Sequence, residues 1–500
     1  MTGRWDQIEV QRDRVAREMG PPFAAGDPRV AMLYPSPYRV AMSSLGYQQV
    51  LGLLRDGGVA AERVCLPDDV AAWRATRRPP LSLETETPLS HFPLIAVSLA
   101  YEMELAGLIE VLELAGISPL RADRGPGDPR VLLGGPLTFS NPLPAAPFVD
   151  AMLLGEAEDT ALPAVMASFE ATTRDGWLDA VHGLPGGYVP ERDGARLPPL
   201  ARASDARLPA LSRIRSPDTE LADMFLVEAE RGCHRTCSFC VMRRSTNGGM
   251  RLVGPDRLLD LVPPDAPKVG LVGAAVSDHP KLVDLLRTLV DSGRGVGVSS
   301  LRADRVARRP DIAALLRRSG ARTLTVASDA ATEALRKAIS KGTREEHLVE
   351  CARQAGALGY EAFKVYMMLG LPGETDEDVE ELIRFTLELA RHARVALGVA
   401  PFVAKRNTPL DGTPFGGIKT VERRMKRLTR GLRGRAEVRP TSARWAWAEY
   451  QLAQGGPEAG LAVLDAVHAG GRFAHYKRAF AQVDPASHRP WVAHDLAASR

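Results

Sequence analysis

Three cysteines lie within eight residues near the middle of this 500-residue chain. Cys233, Cys237 and Cys240 have the spacing C-x3-C-x2-C, and they follow residues 225–228, an apolar run that predicts a β-strand. Thiolates are the usual protein ligands of iron–sulfur clusters. Three thiolates on one short loop would hold three irons of a four-iron cluster and leave the fourth iron open. An open metal position is where chemistry occurs, as at the vacant coordination position of a catalytic zinc ion.

A zinc site is the alternative interpretation of these cysteines, with His234 as the fourth ligand. His234 adjoins Cys233 and is poorly placed to bind the same ion, and structural zinc sites usually combine two separated ligand pairs. The sequence has no second C-x2-C pair and no H-x3-H pair. We therefore favour an iron–sulfur cluster over zinc and over inert thiols.

The composition narrows the class of protein. Basic residues number 64 and acidic residues 61, so the net charge of +3 does not predict a nucleic-acid partner for the chain as a whole. No apolar run approaches 18 residues, and the N-terminus is polar, so we expect a cytoplasmic protein without a membrane span. Five cysteines in 500 residues do not make a disulfide scaffold.

Strands alternate with helices along most of the chain, which predicts an α/β fold with parallel sheets. We divide the chain into an arm (1–28), a doubly wound Rossmann-like domain (29–184), a linker (185–222), a partial (βα)6 barrel (223–416) and a small helical C-terminal region (417–500). The predicted strands of the first domain are 30–34, 63–66, 94–99, 131–133 and 151–154. Those of the barrel are 225–228, 269–272, 296–299, 323–327, 363–368 and 395–399. Ligands are expected at the carboxyl ends of both sets of strands.

The motif C-x3-C-x-Phe-C after the first strand of a βα series resembles the radical S-adenosylmethionine (SAM) superfamily, and Phe239 fits that pattern. The resemblance implies a 4Fe–4S cluster whose open iron is chelated by the amino and carboxylate groups of SAM. One-electron transfer then cleaves a C–S bond and yields a 5′-deoxyadenosyl radical for C–H chemistry. An electron donor such as flavodoxin or ferredoxin is implied as the partner.

Further residues extend the resemblance through the barrel. Residues 273–275 occupy the place of the family's Gly-Gly-Glu-like loop for the methionyl amine, but the acid is missing, so backbone carbonyls or the more distant Asp278 must serve. Arg336 is predicted to pair with the methionyl carboxylate, with a surface helix charge as the alternative. Glu374, in the stretch Gly-Leu-Pro-Gly-Glu-Thr, is predicted to be a helix-start residue and not a catalytic acid, because Thr375 and Asp378 have the spacing of a capping box. The full set of predicted SAM contacts is Phe239, Gly273, Ala274, Ser299, Arg302, Ser328, Arg336 and Leu371.

The first domain resembles the cobalamin-binding domain that precedes the barrel in a large class of radical SAM enzymes. The candidate cobalamin contacts are Ser43, Ser98, Gly134, Gly135, Gly155 and Glu156. The motif Asp-x-His-x-x-Gly, which supplies a lower cobalt ligand, is absent, because the first histidine of the chain is His91. Either cobalamin binds without a histidine ligand, with methyl transfer as the reaction, or the domain is a scaffold that has lost it.

Two further features bear on the function class. Cys65 and Cys351 are too few to build a second cluster with conventional ligation. The stretch 419–444 carries ten basic and two acidic residues, followed by Trp445, Trp447 and Tyr450, which together allow RNA binding. The alternative to a radical enzyme is therefore a non-catalytic iron–sulfur or zinc module that senses redox state or binds RNA.

Overall fold

The computed structural model describes residues 6–242 and 249–484. The chain forms two compact units, one made of residues up to Asp223 together with those from Gln451 onward, and one made of Met224–Tyr450. Both units contain parallel sheets flanked by helices, so the α/β prediction is confirmed. None of the helices in the described ranges has the length and apolar character that spanning a membrane requires.

The first unit contains a six-stranded sheet with the strand order β2-β1-β3-β4-β5-β6. Strands β1 to β5 are parallel, and the short β6 joins β5 in the antiparallel direction. The bounds are β1 (Arg29–Tyr34), β2 (Ala60–Cys65), β3 (Leu94–Ser98), β4 (Arg130–Gly134), β5 (Ala151–Leu153) and β6 (Gly187–Tyr188). The central strands are apolar runs because a doubly wound sheet is buried on both faces.

The helices of this unit follow the predicted strand–helix alternation. Ser44 caps the helix Leu45–Asp56 by accepting a hydrogen bond from the backbone N–H of Tyr47. The α-helices are Asp6–Ala16, Tyr38–Ala41, Leu45–Asp56, Val70–Thr76, Glu104–Leu114, Ala161–Glu170, Arg174–His182, Pro190–Asp193, Pro457–His468 and Phe473–Ala479. The 3-10 helices are Leu89–His91, Arg121–Asp123, Pro136–Phe139, Leu143–Phe148, Asp205–Arg207 and Phe480–Gln482.

Residues 6–28 of the predicted arm and the whole predicted linker are packed parts of the first unit. In the arm, both carboxylate oxygens of Glu18 accept hydrogen bonds from the buried Arg63 of β2, at 2.6 and 2.8 Å. In the predicted linker, Ala201 forms a parallel bridge with Gly155 at the end of β5. The sequence concealed these contacts because isolated bridges and ion pairs leave no hydrophobic period.

Residues 451–484 also belong to the first unit, whereas a single helical region was predicted over 417–500. The buried Asn141 has its Nδ2 within 2.7–3.2 Å of the carbonyl oxygens of Leu452, Ala453 and Gly455. The helix Pro457–His468 lies so close to Leu143–Phe148 that a Cβ at Gly460 would sit 1.8 Å from the carbonyl oxygen of Pro144.

The second unit contains seven parallel strands in two sheets, with the orders β11-β10-β7 and β12-β13-β14-β15. A parallel bridge between Leu301 and Val326 links the two sheets. The bounds are β7 (Met224–Glu228), β10 (Lys268–Val272), β11 (Gly295–Val298), β12 (Thr323–Ala327), β13 (Ala362–Leu369), β14 (Val395–Pro401) and β15 (Glu437–Pro440). The ribbon of β8 (Glu230–Gly232) and β9 (Met250–Leu252) is antiparallel.

The six predicted barrel strands are all present, and β15 is a seventh inside the region predicted to be helical. This strand escaped prediction because Val438 is its only large apolar residue. The α-helices of the unit are Pro255–Asp260, Leu282–Asp291, Ala303–Arg308, Pro310–Arg318, Glu333–Ala338, Glu345–Ala357, Asp376–Leu389 and Ile418–Gly431; Ala443–Gln454 runs past the boundary, and Val276–Asp278 is a 3-10 helix.

Alanine substitutions of two helical glycines in the first unit test how closely the helix Pro457–His468 is packed. Gly460→Ala places a methyl group against the Pro144 carbonyl and is expected to lower the free energy of unfolding by about 1–3 kcal/mol. Gly46→Ala is the matched control, because nothing lies within 4 Å of its Cβ position and alanine favours the helix. Thermal unfolding followed by circular dichroism should show a lower midpoint for Gly460→Ala only. Equal midpoints would contradict the close packing of this helix.

Candidate active site

The cysteine loop begins directly after β8, in the segment that connects the two strands of the β8–β9 ribbon beyond the carboxyl end of β7. Gly232 ends β8 with a φ of 88°, a left-handed conformation that favours glycine, and Cys233 follows directly. The N–H of Ser238 donates to the carbonyl of Ile339 at 3.0 Å, and the Ser238 carbonyl accepts from the N–H of Leu410 at 3.2 Å. The loop is therefore held by the segments that follow β12 and β14, which places it at the carboxyl ends of the barrel strands.

The three thiols lie in similar, partly buried surroundings. Burial raises the pKa of Cys233, Cys237 and Cys240 above that of an ordinary thiol. At Cys237 the nearby ammonium group of Lys341 and guanidinium group of Arg302 oppose this effect. Ligation to a metal favours the thiolate, so metal binding is accompanied by proton release from these groups.

The arrangement suits a cluster better than a single ion. In the parts of the chain that the structure describes, no group of three His, Cys, Asp or Glu side chains converges closely enough to hold one metal ion. A cubane cluster makes a different demand, because each thiolate binds a different iron. Three soft thiolate donors on one partly buried loop meet that demand, so Cys233, Cys237 and Cys240 fit a 4Fe–4S cluster.

A buried carboxylate anchors the cysteine loop. Arg235, between the first two cysteines, donates from Nε and Nη2 to the two carboxylate oxygens of Asp278, at 2.9 Å each. Arg305 donates to Asp278 Oδ1 at 2.5 Å. Burial alone would raise the pKa of Asp278, but the hydrogen bonds from Arg235 and Arg305 hold it below its usual value. Both oxygens are thus engaged by arginines, and the role of Asp278 as an acceptor for the SAM amine stays a prediction.

The loop after β10 has an acidic neighbour that the sequence analysis missed. Glu230 Oε1 accepts a hydrogen bond from the N–H of Ala275 at 2.5 Å, and a Cβ on Gly273 would lie 2.2 Å from the same oxygen. Ala274 is exposed, Gly273 is partly buried, and Ser299 donates to the Gly273 carbonyl at 3.5 Å. The structure thus brings together the predicted residues 273, 274 and 299. The only sequence signal for Glu230 is an acid in a strand just before the cysteines.

Two arginines among the predicted SAM contacts are engaged within the protein. Arg302 is almost buried, pairs with Asp304 at 2.9 Å, and its N–H donates to Ser277 Oγ at 3.1 Å. Arg336 is fully buried, so the alternative of a surface helix charge is wrong.

Arg336 orders the loop that follows β12. Its Nη1 donates to Ser328 Oγ at 3.2 Å and to the Ala330 carbonyl at 3.3 Å, while its Nε donates to the Thr343 carbonyl at 2.9 Å. Its Nη2 is buried without a hydrogen-bond acceptor among the described residues. The pairing of Arg336 with the methionyl carboxylate stays a prediction.

The turn after β13 is pinned by Glu374. Its Oε1 accepts from the N–H of Gly370 at 2.8 Å and from Arg424 Nη1 at 2.8 Å, and its side chain is buried. The helix Asp376–Leu389 starts with the predicted capping box of Thr375 and Asp378. Glu374 directly precedes that cap at the start of the helix, and its buried carboxylate stabilises the turn that carries Leu371. Phe239 is partly buried on the cysteine loop, and Leu371 is buried in the turn.

Strand β13 carries two polar residues that the sequence analysis did not select. Phe363, Val365 and Met367 are buried, whereas Lys364 and Tyr366 lie on the opposite and more exposed face. Helices cover the outer face of such a sheet, so the exposed face lines the inside of the barrel. The sequence could have indicated these two residues, because polar and apolar side chains alternate in this strand.

These two side chains form a pair next to the predicted SAM loop. Lys364 Nζ donates to the Tyr366 hydroxyl at 2.9 Å. The Tyr366 ring lies over Gly398 of β14, where a Cβ would come within 2.9 Å of it. The Tyr366 carbonyl accepts from the N–H groups of Ser328 and Asp329, at 2.9 and 3.1 Å. The phenol is thereby placed beside the loop that contains Ser328.

The candidate cobalamin residues of the first unit are largely used by the chain itself. Glu156 Oε2 accepts from the N–H of Ala203 at 2.8 Å, and a Cβ on Gly155 would lie 2.4 Å from the Ala201 carbonyl. A Cβ on Gly135 would meet the backbone of Leu99 at 2.7 Å.

Of the three other candidates, one is engaged by the backbone. Ser43 Oγ donates to the Arg39 carbonyl and accepts from the N–H of Glu220. Ser98 and Gly134 are partly buried at the ends of β3 and β4. Four of the six candidates are thus engaged by the chain itself, and Ser98 and Gly134 lie side by side at the ends of neighbouring strands.

Half of the basic residues in 419–444 form ion pairs within the second unit. The pairs are Arg423–Asp376, Arg424–Glu374, Arg427–Glu380, Arg439–Glu437 and Arg444–Glu422. Tyr450 packs against Phe415 with their ring centroids 6.0 Å apart. These contacts give the basic stretch a structural role and reduce the charge that would attract RNA phosphates.

Protein-family models and known proteins that resemble this chain agree with the iron–sulfur interpretation of the cysteine loop. The family model described as "Radical SAM proteins, N-terminal" matches residues 46–190, and the "Radical SAM superfamily" model matches residues 227–386. The uncharacterized protein MJ0966 of Methanocaldococcus jannaschii is 27% identical over 416 residues, which cover 80% of this chain and 83% of that protein.

Solved structures of the radical SAM methyltransferase TsrM from Kitasatospora setae share the fold. One, with a tryptophan substrate and a SAM analogue bound, has a TM-score of 0.54 and 16% identity, covering 79% of this chain and 76% of that one. Another, with cobalamin and a [4Fe-4S] cluster bound, has a TM-score of 0.55 and 16% identity, covering 79% and 78%. One family model lies in each unit, and the second includes all three clustered cysteines. The chain therefore belongs to the radical SAM superfamily.

Proposed function

We propose that this protein is an enzyme that cleaves SAM reductively and uses the resulting 5′-deoxyadenosyl radical to functionalise a C–H bond of its substrate. The observation that carries the proposal is the three-cysteine loop held at the carboxyl ends of the barrel strands. When bound there, a 4Fe–4S cluster supplies the electron for cleavage, which the protein receives from a donor such as flavodoxin or ferredoxin.

The residues of the chain hold, orient and shield the reactants. Cys233, Cys237 and Cys240 bind the cluster, and the ion pair of Arg235 with Asp278 fixes their loop. The exposed Ala274 lies in the loop that faces SAM, between the cysteine loop and β11. Pinned loops reduce the reorganisation needed when reactants bind, which is how positioning contributes to rate.

The inner face of β13 supports a substrate position inside the barrel. Tyr366 lies 41% exposed there, and Lys364 has no carboxylate within ion-pair distance among the described residues. A phenol and an ammonium group at the inner wall are suited to orient a substrate that carries hydrogen-bond acceptors. Backbone contacts of Tyr366 with Ser328 and Asp329 keep that position next to SAM.

Cobalamin-dependent methyl transfer is a second candidate. It is favoured by the fold shared with TsrM, one structure of which holds cobalamin and a [4Fe-4S] cluster. The engaged groups of Gly135, Gly155 and Glu156 argue against it, so we infer that the first unit is a scaffold or substrate module. A redox sensor or RNA-binding module is less well supported, because neither role needs the pinned loops around the cysteines.

Loss of a cluster ligand tests the assignment directly. After anaerobic reconstitution with iron and sulfide, Cys237→Ala should lose the visible absorbance of the cluster and form no 5′-deoxyadenosine from SAM and dithionite. Cys65→Ala is the control, because this buried thiol lies at the end of β2 in the other unit. A Cys237→Ala variant that keeps its cluster and its activity would refute the proposal.

The anchor of the cysteine loop allows a second test. Asp278→Asn removes the charge that pairs with Arg235 and Arg305, and breaking a buried ion pair is costly because the remaining charges are left unpaired. We expect the cluster to be lost to an iron chelator several times faster than in the unaltered protein. Asp284→Asn, on the exposed surface of a neighbouring helix, should lose its cluster at the original rate. Equal rates for the two variants would show that the anchor does not stabilise the loop.

Corrinoid binding separates the two reactions. The protein is produced with hydroxocobalamin supplied, desalted, and examined for corrinoid absorbance and for 5′-deoxyadenosine formation. We expect 5′-deoxyadenosine without stoichiometric corrinoid. Stoichiometric corrinoid would instead favour the methyltransferase.

A further inference from the structure

We propose that the carboxylate of Glu230 binds the amino group of SAM and so replaces the acidic side chain that the loop after β10 lacks. The inference rests on the proposed function and deepens it, because it identifies the residue that recognises one end of SAM. The acid comes from β8, a different element from the loop that it serves.

The hydrogen bonds of Glu230 leave one oxygen free. Oε1 accepts from the N–H of Ala275, but Oε2 is buried without any hydrogen-bond donor among the described residues. A buried polar atom without a partner is destabilising, so native proteins rarely leave one. The free oxygen therefore marks the place of a donor that belongs to a bound ligand.

The charges around Glu230 leave its carboxylate without a cationic partner from the described part of the protein. Its two nearest acidic neighbours are already paired, Glu228 with Arg231 and Asp278 with Arg235 and Arg305. Within the described ranges, Glu230 alone of these three acids has no arginine or lysine partner. Burial, reinforced by the charges of Glu228 and Asp278, raises the pKa of Glu230 to about 7. An N–H group of an iron-bound amine would stabilise the charged carboxylate by a hydrogen bond and return its pKa toward the ordinary value.

The position of Glu230 matches the geometry of a chelated amino acid. Only two residues separate it from Cys233, so the free oxygen belongs to the same short segment as the first cluster ligand. It also contacts the loop of Gly273 and Ala275, which borders the predicted SAM site. SAM chelated by the cluster would bring its amine to this junction, whereas both oxygens of Asp278 already accept hydrogen bonds from arginines.

Gly273 supports the same assignment. The Glu230 carboxyl group occupies the space where any other residue would place its Cβ, 2.2 Å from Oε1. A side chain at position 273 would displace the carboxyl group from its position under the loop. The glycine is therefore required by Glu230, not by its own backbone conformation, since its φ is not among the positive values.

The test compares SAM with an analogue that lacks the amino group, by equilibrium dialysis against the anaerobically reconstituted protein. In the unaltered protein, removal of the amine should weaken binding by more than a charge-assisted hydrogen bond alone, because it also removes a ligand of the cluster iron. Glu230→Gln should weaken the binding of SAM about ten- to hundredfold, the range expected for such a hydrogen bond, and leave the binding of the analogue unchanged. Glu361→Gln, an exposed carboxylate paired with Arg322, is the control that should behave as the unaltered protein.

A second variant covers the case in which Glu230→Gln fails to fold or to hold its cluster. Gly273→Ala keeps the charge but displaces the carboxyl group, and it should show the same selective loss for SAM. Equal binding of SAM and its analogue by the unaltered protein would overturn the inference. It would also be overturned if the variant weakened the binding of the analogue as much as that of SAM. A buried water at Oε2, in place of the SAM amine, would produce this second result. If the unaltered protein neither binds nor cleaves SAM, the proposed function itself fails.

Discussion

The carboxylate of Asp278 holds together the segments on which the whole site depends. Asp278 follows β10 and accepts hydrogen bonds from Nε and Nη2 of Arg235 in the cysteine loop. It also accepts a hydrogen bond from Arg305 in the helix after β11. A fully buried carboxylate is stable only if cations and hydrogen bonds compensate its desolvation. The three segments must therefore keep their relative positions, and the cysteine loop inherits its geometry from the register of β10 and β11.

The regular elements were readily predicted because each has a strong local signal. Strand β12 has the predicted bounds, and the other barrel strands differ by a few residues at their ends. The cysteine motif was equally visible, because its chemistry depends on residue type and spacing within one loop. The capping box at Thr375 is similar, since it involves two residues three positions apart.

What the sequence concealed are contacts between residues that are distant in the chain. Glu230 and Gly273 are 43 residues apart, and nothing in either segment indicates that one fills the space beside the other. The burial of Arg336 depends on carbonyl groups that accept from it only once the loop after β12 has formed. The strand β15 depends on its neighbour β14 and not on its own composition. Such features follow from tertiary packing, which overrides local preference.

The packing of Asn141 against the carbonyl groups of residues 452–455 makes the first unit discontinuous in sequence. The ribosome makes the second unit in one uninterrupted stretch, so that unit has all its residues before residues 451–484 are made. The first unit must wait for the helix Pro457–His468, because that helix packs against Leu143–Phe148 and the carbonyl groups just before it accept from Asn141. Its final closure is thus delayed until the whole second unit has been made, and a deletion within residues 451–484 acts on the unit that contains Asn141.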